Sequence, residues 1–405
     1  MKLAAAVVVA AALFLPAAQA AERKTVSPVL GLDVARNGVH RLAWFEPGSL
    51  TMLHGRKAPL GRYTGSWSFS AGRSVLAIAA AQTTGYQQQA DYKLRFVNAR
   101  SMRVLGDLNL GSPQFSSVTW LRPDRLLAVV YGDSRLIAVV DPQRRALVRQ
   151  VALSRRPEAV ARIADSLVLL LGNEGSFAPA VLAIVDAEGS LRTVTLDRIS
   201  IGTVSDPLTP SFQVRRPGLA FDPATRRAFV VGADFTVAEV DLETLDVAYH
   251  GGSARSLAKY STGPIRSAVW LGNGLLAVTG TDYSGDATKG QPLGLRLIDT
   301  RTWRTQLVDP NVGSIGRPAA NGVFFARGST PSQDVDVYGM DGTLVYHLDL
   351  ADDEWLSAYG PYGYVCSSKD RLLRILDVRS GEQAVQLRGE RPFCPALLYG
   401  QGANW

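Results

Sequence analysis

An Arg-Pro pair occurs four times, at Arg156-Pro157, Arg216-Pro217, Arg317-Pro318 and Arg391-Pro392, each just ahead of an apolar, alternating run. The proline has a plain use, because its fixed φ shapes the turn into a strand. The arginine has another: its planar fork of donors grips a carboxylate, sulfate or phosphate through charge-assisted hydrogen bonds. Placed at equivalent points around one axis, Arg156, Arg216, Arg317 and Arg391 would form a cationic ring for such an anion. In the plainer alternative, each guanidinium pairs with a neighbouring acid at the surface. Four acids offer a second chemistry. Glu174, Asp206, Asp282 and Asp286 fall in long polar connections, and carboxylates converging from separate segments could hold a metal for hydrolysis or elimination. The run Asp282-Tyr-Ser-Gly-Asp286 could lend oxygen ligands to Ca²⁺, although it lacks the acidic density of a dedicated calcium loop.

Other chemistry is not indicated. The four histidines, His40, His54, His250 and His347, include none at i, i+4 with a second ligand, so zinc hydrolysis is not expected. No G-x-S-x-G run occurs, and where Gly285 to Gly290 has the spacing of a phosphate-binding loop, Gln291 replaces the required lysine. The motif C-x-x-C-H of a covalently attached haem is absent too.

These residues need a scaffold. The 405 residues are 46% hydrophobic and 20% charged, which is globular composition. Lys2, the apolar run Leu3 to Leu15 and Ala18-Gln19-Ala20 read as an export signal cleaved before Ala21. That run is too short to span a bilayer, and nothing later approaches the length of a membrane helix. An exported chain with no membrane span is expected, located outside the cell, in the envelope or in the periplasm. In that setting Cys366 and Cys394 could form one disulfide. The formal charge of +7 is interspersed rather than blocked, and no basic stripe with interleaved aromatics supports nucleic-acid binding.

One pattern recurs along the chain: a few apolar residues, usually an Asp, a short polar turn, then a second alternating strand. Copies surround Glu46, Asn98, Asp141, Asp186, Asp241, Asp299, Gly339 and Asp377, at intervals of 38 to 58 residues. A four-stranded propeller blade takes about 40 to 50 residues. Between most copies lies a second strand pair with a tight turn, as in SVTWLRPDRLLAVVY from Ser117. Phe69, Trp120, Phe221, Trp270 and Tyr359 hold one place in these inner pairs and should fill the space between neighbouring blades. The spacing predicts an all-β fold, a single propeller over residues 21–405. Eight blades is the literal count and seven the alternative. Val29 to Val34 and Cys394 to Tyr399 should complete one blade together, leaving no open edge.

The run RRPGLAFDPATRRAFVVG followed by VAEVDLETLDV resembles the repeat of the YVTN-type and quinoprotein amine dehydrogenase-like propellers, although the Tyr-Val-Thr-Asn tetrapeptide is absent. The resemblance covers nearly the whole mature chain at the level of the repeat. It implies a propeller, and it allows the large subunit of a redox enzyme that docks a separate cofactor-bearing chain.

In a four-stranded blade the turns inside the two hairpins share one face and the longer connections share the other. Here the hairpin turns are short. Length accumulates at Gln82 to Asp91, Gly172 to Pro179, Arg198 to Pro217, Gly280 to Gly294 and Ala326 to Asp334. Loops on a rigid scaffold carry function disproportionately. The expectation is therefore a monomeric, non-catalytic platform that binds a protein or a small anionic ligand on its long-loop face, with no cofactor of its own beyond a possible Ca²⁺. A metal-dependent propeller hydrolase or lyase and the redox subunit are the alternatives.

Overall fold

The computed structural model describes residues 28–34, 39–61, 63–82, 91–110, 115–130, 135–205, 212–251, 263–283, 290–316, 322–328, 334–367, 372–388 and 396–397. The expected export signal lies outside the described residues, as do Arg317, Arg391, Asp206, Asp286 and Cys394.

Strands alone make up the described regular structure, and they fall into eight antiparallel sheets. The eight-blade count therefore holds and the seven-blade alternative does not. Blade 1 is assembled from both ends of the chain. Its innermost strand, Ala396–Leu397, pairs with Val29–Val34, which leads out to His40–Phe45 and Ala58–Gly61. Gly31 stands opposite Leu397, and Leu32 opposite Ala396. Blades 2 to 8 follow in chain order, their innermost strands being Tyr63–Phe69, Phe115–Arg122, Arg156–Ile163, Gly218–Asp222, Gly263–Gly272, Val312–Ile315 and Glu354–Tyr359.

Because a blade is covered on both faces by its neighbours, its middle strands are apolar on both sides. Ser166–Gly172 reads SLVLLLG and is almost wholly buried. The apolar residues sort into eight clusters, each shared by two successive blades. The cluster of Tyr364, Cys366 and Ile375 with Val29, Ala43 and Phe45 joins blade 8 to blade 1 and closes the ring. The Tyr364 hydroxyl donates to Pro47 O at 2.7 Å across the same seam. All five aromatics of the inner strands lie in or against these inter-blade clusters, with Trp120 set edge-on to Phe96.

The aspartate of the repeat has a local job. At Asp141, Asp241 and Asp377 one carboxylate oxygen accepts two backbone N–H groups of the outer hairpin turn, at 2.8 to 3.0 Å. These bonds to the charged form hold Asp141 and Asp241 below the usual carboxylate range. The repeat Asp thus closes a turn.

Candidate functional site

In their described residues, two of the long connections are strand. The outer strand of blade 4, Leu191–Ser205, runs past its partner and folds back onto Phe212–Arg215, so much of the Arg198 to Pro217 connection is a hairpin. In blade 6, Leu275–Tyr283 extends likewise and pairs with Gly290–Pro292. Sequence reasoning took both for loops, because Gly and Pro punctuate them.

The blade 4 hairpin is fastened to its own scaffold. Glu174 makes a parallel bridge with Thr203; Gly175 N–H donates to Thr203 O at 2.8 Å, and Thr203 N–H to Asn173 O at 3.1 Å. The approach is close enough to require glycine: a Cβ on Gly202, whose φ is +145°, would sit 2.4 Å from Ser176 O. Gly202→Ala should therefore release this edge. Amide hydrogen exchange should rise at Gly175 and Thr203 while the strands of blade 8 keep their protection.

On the axial side, the segment before blade 5 is stitched to blade 6. Arg216 N–H donates to Pro264 O at 3.0 Å, and Arg266 N–H returns a bond to Arg216 O at 2.8 Å. Beneath this bridge lies the most buried ion pair among the described residues. Arg266 Nη1 meets Asp282 Oδ1 at 2.8 Å, with side-chain exposures of 2% and 9%. Its Nε donates to Ala233 O at 2.9 Å, its Nη2 reaches the same oxygen, and the Phe235 ring lies 5.1 Å away. Gly280 makes the room, since a Cβ there would sit 2.7 Å from Arg266 Cδ. Burial lowers the Arg266 pKa and Asp282 opposes that shift, so charge and counter-charge are both needed.

The sequence candidates now have places. Arg156 stands at the start of the inner strand of blade 4, with its Nη1 2.6 Å from Glu174 Oε1. Arg216, at the matching point before blade 5, has its Nε 3.8 Å from Glu158 Oε2. Two arginines of the suggested ring thus stand beside acids, and two acids of the suggested metal set, Glu174 and Asp282, stand beside arginines. Further out on the same face, Arg215 lies 4.2 Å from the Phe177 ring centroid and Arg198 5.2 Å from that of Tyr249. The sequence reading missed both pairs, because their partners come from separate hairpins. Cys366 is buried in Tyr362–Ser367 of blade 8 and is disulfide-bonded.

One acidic cluster also escaped linear reasoning. Ligand atoms of Asp334, His347 and Asp349, at the end of blade 7, lie within 4.8 Å of one another. The imidazole is already engaged: Nδ1 faces Asp336 Oδ1 at 2.6 Å and Nε2 faces Asp349 Oδ1 at 3.0 Å. These carboxylates, Asp336 foremost, raise the His347 pKa. The resulting stability is present in full below the unfolded value of about 6.5 and is lost as pH rises through the higher folded value. A His347→Gln variant should accordingly unfold at lower denaturant than wild type at pH 5.5, and the gap should close by pH 9. A gap that persists at pH 9 would contradict the ion-pair assignment.

No protein-family model matches the chain, and no curated protein matches it. Among solved structures it is similar to the dihydro-heme d1 dehydrogenase NirN in complex with DHE, at 13% identity and a TM-score of 0.60 over 95% of this chain and 76% of that one. It is similar to Chaetomium thermophilum Sqt1, at 13% identity and a TM-score of 0.54 over 81% and 86%. A eukaryotic initiation factor aligns at 9% identity and a TM-score of 0.54 over 92% and 90%. At these identities the likeness concerns the fold. The chain is a β-propeller, as the YVTN-type and amine dehydrogenase-like resemblance implies, and its eight blades are those of the repeat count.

Proposed function

We propose that the protein is an exported, non-catalytic platform that binds a protein partner or an anionic ligand through its long-loop face, centred on blades 4 to 6. The observation that carries this reading is the building of that face into the sheets. In their described residues the longest connections are paired strands, the one in blade 4 bridged to its own scaffold, and it sets Arg198 against Tyr249 of blade 5 and Arg215 against Phe177. Arginine and aromatic anchors held rigidly are what a binding face uses, since little ordering entropy remains to be lost on association. Propellers of similar fold include one solved with a peptide partner: Sqt1 bound to the N-terminus of the ribosomal protein L10.

Against the metal-dependent hydrolase or lyase stands the charge environment of its acids. Glu174 faces Arg156, and Asp282 is matched in the interior by Arg266, where a divalent cation would meet a guanidinium. Elemental mass spectrometry of residues 21–405, after dialysis against metal-free buffer, tests the choice. The platform reading expects no near-stoichiometric Ca, Zn or Mn. Near-stoichiometric metal that is lost in Asp206→Ala and Asp286→Ala variants would overturn it in favour of the enzyme.

A further inference from the structure

A cavity of about 410 Å³ opens on the opposite face, where the short hairpin turns lie, at the junction of blades 1 and 2. Its walls come from four places in the chain. Trp44 stands on the strand His40–Phe45, Leu53, His54 and Arg56 follow in the connection to Ala58–Gly61, Arg100 and Met102 lie in the outer turn of blade 2, and Pro28 precedes Val29. The indole of Trp44 is fixed, because its Nε1–H donates to Ala99 O at 2.8 Å across the blade boundary.

The lining divides by chemistry. Pro28, Trp44, Leu53 and Met102 supply apolar wall, with Leu53 39% exposed there. Arg56, Arg100 and His54 supply the polar groups, and no carboxylate lines the cavity among the described residues. Several arginines elsewhere on this face are engaged. Arg192 donates to Glu243 O and Leu242 O, Arg162 to Leu121 O, and Arg226 meets Glu243 Oε1 at 2.6 Å. Arg56 and Arg100 make no ion pair or hydrogen bond among the described residues. Two guanidinium groups left without acids over an aromatic and aliphatic wall are complementary to one chemical class: a small carboxylate with an apolar body. The volume lies within the range of ligand pockets, about 300–1,000 Å³.

We propose that this cavity is a binding site for a small aryl- or branched-alkyl carboxylate, whose apolar body packs on Trp44 and Met102 and whose carboxylate is held by Arg56 and Arg100. The site is separate from the long-loop face, and its test leaves that proposal untouched. Calorimetric titration with 3-phenylpropionate, with its neutral amide and with sodium sulfate reads both halves of the recognition. Binding of 3-phenylpropionate should exceed that of the amide and of sulfate by about tenfold or more. The Arg56→Ala/Arg100→Ala variant should lose about tenfold or more of carboxylate affinity with an unchanged melting temperature, both side chains being exposed and unpartnered. An Arg156→Ala/Arg216→Ala variant should bind as wild type does. Equal binding of acid and amide, no heat with benzoate, 3-phenylpropionate or 4-phenylbutyrate at millimolar concentration, or loss of binding only in the Arg156/Arg216 variant would each overturn the proposal.

Discussion

Asp282→Ala is expected to destabilise the protein by about 3–5 kcal/mol, because it leaves the Arg266 guanidinium buried without its counter-charge. The remaining bonds of Arg266 go to carbonyl oxygens of Ala233 and Ile265, which cannot neutralise it. Arg266 cannot swing out to water, since the Arg216–Ile265 bridge and the Phe235 ring cover it. Asp282→Asn keeps a hydrogen-bond acceptor and removes only the charge, so it should cost less than Ala. Replacing the pair together, as Arg266→Met/Asp282→Leu, should recover most of the loss, since a buried pair can be exchanged for packed apolar groups at little net cost. Urea titration of the four proteins measures the whole series. An Asp282→Ala variant as stable as wild type would show that the carboxylate is not structural and would return it to the set of candidate metal ligands.

Leu30→Ala is expected to cost about 2–5 kcal/mol through lost burial and a residual cavity. Leu30 is fully buried in the second strand of blade 1, within the cluster that holds Leu42, Leu60, Leu76 and Ile78 and so locks blade 1 to blade 2. Blade 1 is the one sheet made from both chain ends, its inner strand contributing the register pairs Gly31 with Leu397 and Leu32 with Ala396. A weakened blade 1 should therefore lower the unfolding midpoint of the ring as a unit. By contrast Leu105→Ala, on the outer strand of blade 2 and 36% exposed, should stay within about 0.5 kcal/mol of wild type. Coincident transitions by tryptophan fluorescence and circular dichroism are expected for Leu30→Ala; early loss of one signal would mean that blade 1 opens independently.

The architecture was legible because it is repeated. The Asp that closes most outer turns, the aromatic that fills five of the blade boundaries and the alternation between them recur often enough that one misread copy does not change the sum. Even the closing pair of Val29–Val34 with the C-terminal strand could be read, as the strand left over at each end of the count. The binding face was legible only as length. What the connections do with that length depends on contacts between separate hairpins: Thr203 with Glu174, Arg216 with Glu158 and Ile265, and Arg266 with Ala233. None of these has a local signature. The arginine of each Arg-Pro pair was visible, and the acid beside it was not, because Glu158 sits 58 positions before Arg216 and reaches it only after the chain has made an entire blade. Arg266 and Asp282 look unremarkable in sequence, and only burial turns them into a pair that must stay together.

The central claim, that the long-loop face binds, is tested most directly by crosslinking in the cells that produce the protein, with three forms of it: wild type, Arg198→Glu/Arg215→Glu on the long-loop face, and Arg226→Glu/Arg301→Glu on the opposite face. The account predicts that adducts formed by wild type persist in the Arg226/Arg301 variant and disappear in the Arg198/Arg215 variant. Adducts that survive in the Arg198/Arg215 variant and vanish in the other would contradict it.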